Sequence, residues 1–134
     1  MNSFPLKIVT PDGLQFDGQA EQLTVRTTTG DMGILAGHIN CVAPLGMGRA
    51  VIVTDGQRRY AACIGGMLTV VDNHVTIVAT TFEWAEQIDS ARAEASQARA
   101  EKVLQNKDAS NTEIQLAQAR LHRALVRKSV ASFK

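Results

Sequence analysis

Nothing after Gly66 is glycine or proline: all ten glycines lie at or before that position, and the three prolines, Pro5, Pro11 and Pro44, come earlier still. These are the residues that make tight turns and break helices. The first part of this 134-residue chain can therefore turn often, and the second can run as uninterrupted helix. The change falls between Phe82 and Ile88. It divides the chain into a turn-rich domain, 1–84, and a turn-free domain, 85–134.

In the first domain apolar residues recur every second position, the period of a half-buried strand. Phe4, Leu6 and Ile8 alternate, Pro11-Asp12-Gly13 makes a turn, Leu14 and Phe16 resume the alternation, and Leu23 and Val25 repeat it. Asp55-Gly56 between Ala50–Val53 and Tyr60–Cys63 is a hairpin signal, and Asp72-Asn73 between Met67–Val71 and Val75–Ala79 is a second. Turns about every ten residues predict an antiparallel sandwich or barrel. No helical pattern separates the strands, which excludes a βαβ layout.

Residues 88–105 are rich in Ala, Glu, Gln, Arg and Ser, all compatible with helix. Ile88, Ala91, Ala95 and Ala98 share one stripe at helical spacing, predicting the buried face of a first helix. Asn106-Lys107-Asp108 interrupts the pattern, and Ser110 with Glu113 fits a capping box that opens a second helix over 111–131. There Ile114, Ala117, Leu121, Ala124 and Leu125 are expected to share the buried face. Two helices joined by a short polar loop make an antiparallel hairpin. Its alanine seam buries little area, so the hairpin is expected to be marginally stable alone. The fold class is thus α+β.

The net charge of +1 gives no electrostatic reason to expect nucleic acid as a partner. It is unevenly spread: residues 1–87 carry five basic and eight acidic groups, residues 88–134 nine and five. No apolar run approaches the roughly 20 residues that span a bilayer, so no bilayer insertion is expected. The N-terminus shows no leader pattern, and the chain is read as mature. Cys41 and Cys63 cannot build a disulfide framework. His38 and Cys41 form one close ligand pair where a zinc site needs two, so no metal site is assigned. No Lys-Ser/Thr follows Gly30, Gly33 and Gly37, so they form no phosphate loop. No catalytic residues are assigned.

Arginines are the informative polar residues. At 100° per residue, Arg120, Arg123 and Arg127 lie within about 60° of one another, and Arg92 and Arg99, seven apart, nearly eclipse. Five guanidinium groups on two facing surfaces can grip an anion bidentately. The plain alternative is a solvated basic face. Asp89 is also placed to cap the first helix.

Residues 30–38, Gly-Asp-Met-Gly-Ile-Leu-Ala-Gly-His, resemble the glycine-rich signature of the epsilon subunit of the bacterial F-type rotary ATP synthase. Residues 65–70, Gly-Gly-Met-Leu-Thr-Val, are similar to that family's Gly-Gly-x-Leu-x-Val strand. Residues 88–93, Ile-Asp-Ser-Ala-Arg-Ala, resemble its Ile/Leu-Asp-x-x-Arg-Ala motif, and Leu6 to Asp12 also match. The likeness covers the whole chain. Ala36 stands where many relatives have proline, and Leu116 where some nucleotide-binding relatives carry a further arginine.

The resemblance implies a ten-stranded β-sandwich followed by the hairpin. It implies a non-catalytic subunit of the central stalk, peripheral on the cytoplasmic face of the bacterial membrane, that helps couple ion flow to ATP synthesis. Its implied partners are the gamma subunit and the c-subunit ring, and, when the hairpin extends to block ATP hydrolysis, the catalytic head of alpha and beta subunits. No cofactor is required, and ATP is implied as a regulatory ligand of the folded hairpin. Glu83, Ile88, Asp89 and Ala93 would border adenine; Arg92, Arg99, Arg123 and Arg127 would hold phosphates. For partner binding, composition points to the loop Ile34 to Asn40 and the segment Cys41 to Met47, with Ile34, Leu35 and His38 as contacts. The alternatives are a free-standing nucleotide-sensing module and a small barrel enzyme using His38 and Cys41.

Overall fold

The computed structural model describes residues 2–134. Its order is β1 (Phe4–Thr10), β2 (Gly13–Ala20), β3 (Gln22–Thr27), β4 (Gly30–Leu35), β5 (Cys41–Thr54), β6 (Gln57–Val71), β7 (His74–Trp84), a 3-10 turn (Ala85–Gln87), α1 (Ser90–Gln105) and α2 (Asn111–Ala131). The chain divides into two compact units between Trp84 and Ala85.

The first unit is one hydrogen-bonded sheet of seven strands, in the order β2-β1-β7-β6-β5-β3-β4. Neighbours pair antiparallel except β1 and β7, which run parallel. Both two-residue hairpins form as the sequence predicts. Asp55 and Gly56 have φ of 52° and 75°, Asp72 and Asn73 49° and 69°, the double positive φ of a type I′ turn whose twist matches the strands. A single core, with Phe4, Leu6, Ile8, Leu23, Ile52, Leu68 and Ile77 fully enclosed, draws on both halves of the sheet.

Seven strands replace the expected ten among the described residues, for a physical reason. In β5, β6 and β7 the inward phase flips midway. Leu45 of β5 points inward, and so do Ala50 and Ile52; in β6 Leu68 and Cys63 do, in β7 Ile77 and Phe82. The ladder is irregular where Gly46, Gly65 and Thr80 would meet. Each long strand thus kinks, with its pairing register unchanged on either side, and continues, where an alternation count sees two strands. Gly65 and Gly66 sit at the bend with φ of 72° and 120°, and a Cβ on Gly66 would lie 2.0 Å from the Val78 carbonyl oxygen. A bulge between Ile8 and Val9 pairs Ile8 with Phe16 but Val9 with Leu14. Leu14 and Phe16 therefore face opposite sides, and Leu14 is exposed.

In the second unit the Asp89 carboxylate caps α1, accepting the Arg92 backbone N–H at 3.1 Å. Ser110 and Glu113 close the predicted capping box of α2. The two helices pack against each other, but not through the expected face of α1. Ala91, Ala95 and Ala98 are exposed, while Ala93 and Ala100 are buried and Ser96, Gln97, Val103 and Leu104 half-buried. Alanines occur at helical spacing on both sides of α1, and a methyl group carries too little area to tell them apart. Val103 and Leu104 decide the orientation. On α2, Ala117 and Ala124 are buried as expected, and Leu125 is exposed. A polar tie crosses the seam: Lys128 Nζ donates to Gln97 Oε1 at 2.8 Å, and Gln97 Nε2 donates to Glu101 Oε1 at 2.8 Å.

Candidate functional sites: an arginine groove and an apolar face

Glu113, Leu116, Arg120, Arg123 and Arg127 fall within about 80° of one another on α2. This stripe lies beside the alanine seam, and with Ser96, Arg99, Ala100 and Val103 of α1 and Ala117 it lines a cavity of about 510 Å³. Four guanidinium groups and one carboxylate share that cavity, and the carboxylate is partly engaged: Glu113 Oε1 accepts the Ser110 N–H at 3.4 Å. Such a groove attracts a multiply charged anion.

Of the residues that the resemblance assigns to a nucleotide, the structure brings Arg99, Arg123 and Arg127 together. Arg92 shares the Arg99 face but lies outside the lining of the groove, as do Ile88, Asp89 and Ala93. Ile88 and Ala93 are buried, and the Asp89 carboxylate is used in capping. Glu83 is on β7, half-buried. Ser96, Val103 and Glu113 join the lining without having been singled out as ligands, because only their position beside the seam reveals them.

A second feature lies on the outer face of the sheet. Pro44, Met67, Val78, Val9 and Leu14 are directly paired from strand to strand across β5, β6, β7, β1 and β2. Directly paired residues share a face, and the neighbouring row, Ala43, Leu68, Ile77, Ile8 and Phe16, is the one turned to the core. Leu14, Met67 and Val78, with Val42 two residues from Pro44 on the same face, are 42–65% exposed. A contiguous apolar band of this kind on a sheet face marks a docking surface.

The expected contacts Ile34, Leu35 and His38 fare differently. Ile34 is at 0% exposure in the core, because its pairing with Leu23 puts it on the inner face, so it cannot contact a partner. Leu35 is 61% exposed and Ile39 is exposed further along the loop. The half-buried His38 places Nδ1 2.8 Å from the Ile39 carbonyl oxygen and 4.0 Å from Cys41 Sγ. A carbonyl only accepts, so Nδ1 carries the proton and is no base for the thiol. Burial pushes the Cys63 thiol up to about 12, which keeps it protonated and unreactive near neutral pH. Among the described residues no three His, Cys, Asp or Glu side chains are grouped to hold a metal ion.

Two family models together cover almost the whole chain. The beta-sandwich domain of the ATP synthase delta/epsilon chain matches residues 3–85, and its long alpha-helix domain matches 86–132. The chain belongs to the ATP synthase delta/epsilon family. Within that family it is 46% identical over 131 residues to the ATP synthase epsilon chain of Bacillus velezensis, covering 98% of each. It is 44% identical over 135 residues to that of Ruminococcus albus, covering 100% of each. The fold is similar to a chain in the Euglena gracilis mitochondrial ATP synthase structure of OSCP, F1 and c-ring, with a TM-score of 0.84 at 22% identity over 98% of this chain and 82% of that one. A chain of the Tetrahymena thermophila central stalk and c-ring structure gives a TM-score of 0.62 at 16% identity, covering 95% of each. The boundary between the family's two domains falls within one residue of the boundary between the compact units. The apolar band lies in the first domain and the arginine groove in the second. No helix among the described residues is long and apolar enough to cross a membrane.

Proposed function

We propose that this protein is a non-catalytic adaptor in the central stalk of a rotary ATP synthase, peripheral on the cytoplasmic face of a bacterial membrane. Its sheet docks on the gamma subunit and the c-subunit ring, and so helps couple ion flow to ATP synthesis. Its hairpin regulates: folded, it binds ATP without turnover, and extended, it reaches the catalytic alpha and beta subunits and blocks hydrolysis. The apolar band across five strands carries the docking half of this reading, because a lone sheet has no reason to leave Met67, Val78 and Leu14 in water. Leu35 and His38 are retained as rim contacts, and Ile34 is not.

The alanine seam supports the regulatory half. A pair of helices that buries mainly methyl groups sits within a few kcal/mol of opening, which a ligand or a partner surface can overcome. Arg99, Arg123 and Arg127 hold the phosphates; Arg92 and the Ile88, Asp89 and Ala93 segment complete the site in this reading.

The test is reconstitution of the complex with the double variant Met67→Asp, Val78→Asp. The substitutions sit on the solvent side of the sheet, so the isolated chain keeps its circular dichroism spectrum and melting transition. Assembly with gamma and the c-ring is expected to fall at least tenfold. Full assembly of a folded double variant contradicts the docking surface. A wild-type chain that never assembles with the motor subunits leaves the free-standing nucleotide sensor as the better reading.

A further inference from the structure

Three of the guanidinium groups on the groove, those of Arg99, Arg120 and Arg123, form no ion pair or hydrogen bond among the described residues. Arg120 and Arg123 are three apart on α2, and Arg123 and Arg127 four apart, the spacings at which like charges disfavour a helix. Like charges therefore crowd the Arg99, Arg120 and Arg123 part of the groove, and an entering anion offsets that repulsion. Arg120 has the most telling position. It lies one turn beyond Leu116, on the same face, and Leu116 is an exposed groove residue with no donor to offer.

We propose that Arg120 is a phosphate-holding residue of this groove, supplying a donor one turn along from the apolar Leu116. This rests on the reading that the hairpin binds ATP. Arg99, Arg120 and Arg123 together present three positive charges beside one carboxylate, which suits a multiply charged anion. A guanidinium reaches such a group bidentately, so the contact depends on its fork as well as its charge.

Two consequences of opposite sign follow. Removing Arg120 takes a charge-assisted contact from the ligand, and it also takes a like charge from the empty groove. Affinity falls while the empty hairpin gains stability. A residue that only braced the helices would lose both together.

The experiment is calorimetric titration of the full chain with ATP and, separately, with inorganic tripolyphosphate. The variants are Arg120→Ala, Arg120→Lys and the relocation pair Arg120→Ala, Leu116→Arg. Amide hydrogen exchange across the α1–α2 seam is followed on the same ligand-free samples. Losing Arg120 is expected to raise the Kd for both ligands about tenfold to a hundredfold. Lysine gives an intermediate value, the relocated arginine restores most of the affinity, and seam exchange slows in the ligand-free Arg120→Ala chain. Wild-type binding that Arg120→Ala leaves unchanged overturns the role of Arg120 alone. Weaker binding accompanied by faster seam exchange overturns it too, by showing a structural role. A wild-type chain that binds neither ligand at millimolar concentration removes this proposal and the ATP reading together.

Discussion

The two units of this protein are held together by different physics. The sheet encloses phenylalanine, leucine, isoleucine and valine side chains in one core, and its first strand pairs with its last. The hairpin helices bury Ala93, Ala100, Ala117, Ala124 and Ala131, with Val130 as the larger enclosed side chain, and carry a lysine–glutamine–glutamate tie along the seam. Each branched side chain fully buried is worth about 1.5–3 kcal/mol, and a methyl group far less. In the proposed reading the sheet is a fixed platform and the hairpin an element whose state its surroundings decide. The exposed apolar band sits on the sheet, and the charged groove sits on the hairpin.

The sharpest way to break this contrast is to separate the units. The fragment 1–84 is expected to keep a cooperative thermal transition, because its core and its ladder are internal to it. The fragment 85–134 is expected to lose most of its helical circular dichroism, since helices in water draw most of their stability from packing and this seam is mostly alanine. A stable isolated hairpin would remove the asymmetry.

Point substitutions sharpen it. Ile77→Ala, at 0% exposure in the sheet core, should cost about 2–5 kcal/mol in denaturant melts and leave ATP affinity unchanged. Ala117→Leu overfills the seam and should cost about 1–3 kcal/mol of hairpin stability, read by hydrogen exchange in α1 and α2 with β6 unaffected. Ser110→Ala removes the capping hydroxyl of α2 and should cost about 1 kcal/mol, again confined to the hairpin. Leu125→Ala, on the exposed side of α2, should stay within about 0.5 kcal/mol of wild type.

These expectations divide along the line between what pattern can and cannot reveal. Capping residues and hairpin turns act locally, so Ser110, Glu113, Asp89, Asp55 and Asp72 could be read directly, and the second helix spans 111–131 as its sequence indicates. The strand count could not, because a kink at Gly46 and Gly65 flips the side-chain phase inside strands that never end and keep their register. The face of α1 could not, because alanines punctuate both sides of it. At the sites, the spacing of Arg120, Arg123 and Arg127 was enough to place them on one face. Ile34 reads as a loop contact from the sequence, but its pairing with Leu23 turns it inward. The apolar band is invisible along the chain, because its members come from five strands and meet only through register.

The most direct test of a fixed platform carrying a conditional hairpin is residue-resolved amide hydrogen exchange on the full chain, with and without saturating ATP. Without ligand, the amides of α1 and α2 should exchange orders of magnitude faster than those of β5, β6 and β7. At ATP a hundredfold above Kd the helices should gain about 2.7 kcal/mol of protection, roughly a hundredfold slowing, while the strands stay as they were. Helices and strands opening together at one rate, or protection gained in the strands and not across the Ala100–Ala117 seam, would contradict the account.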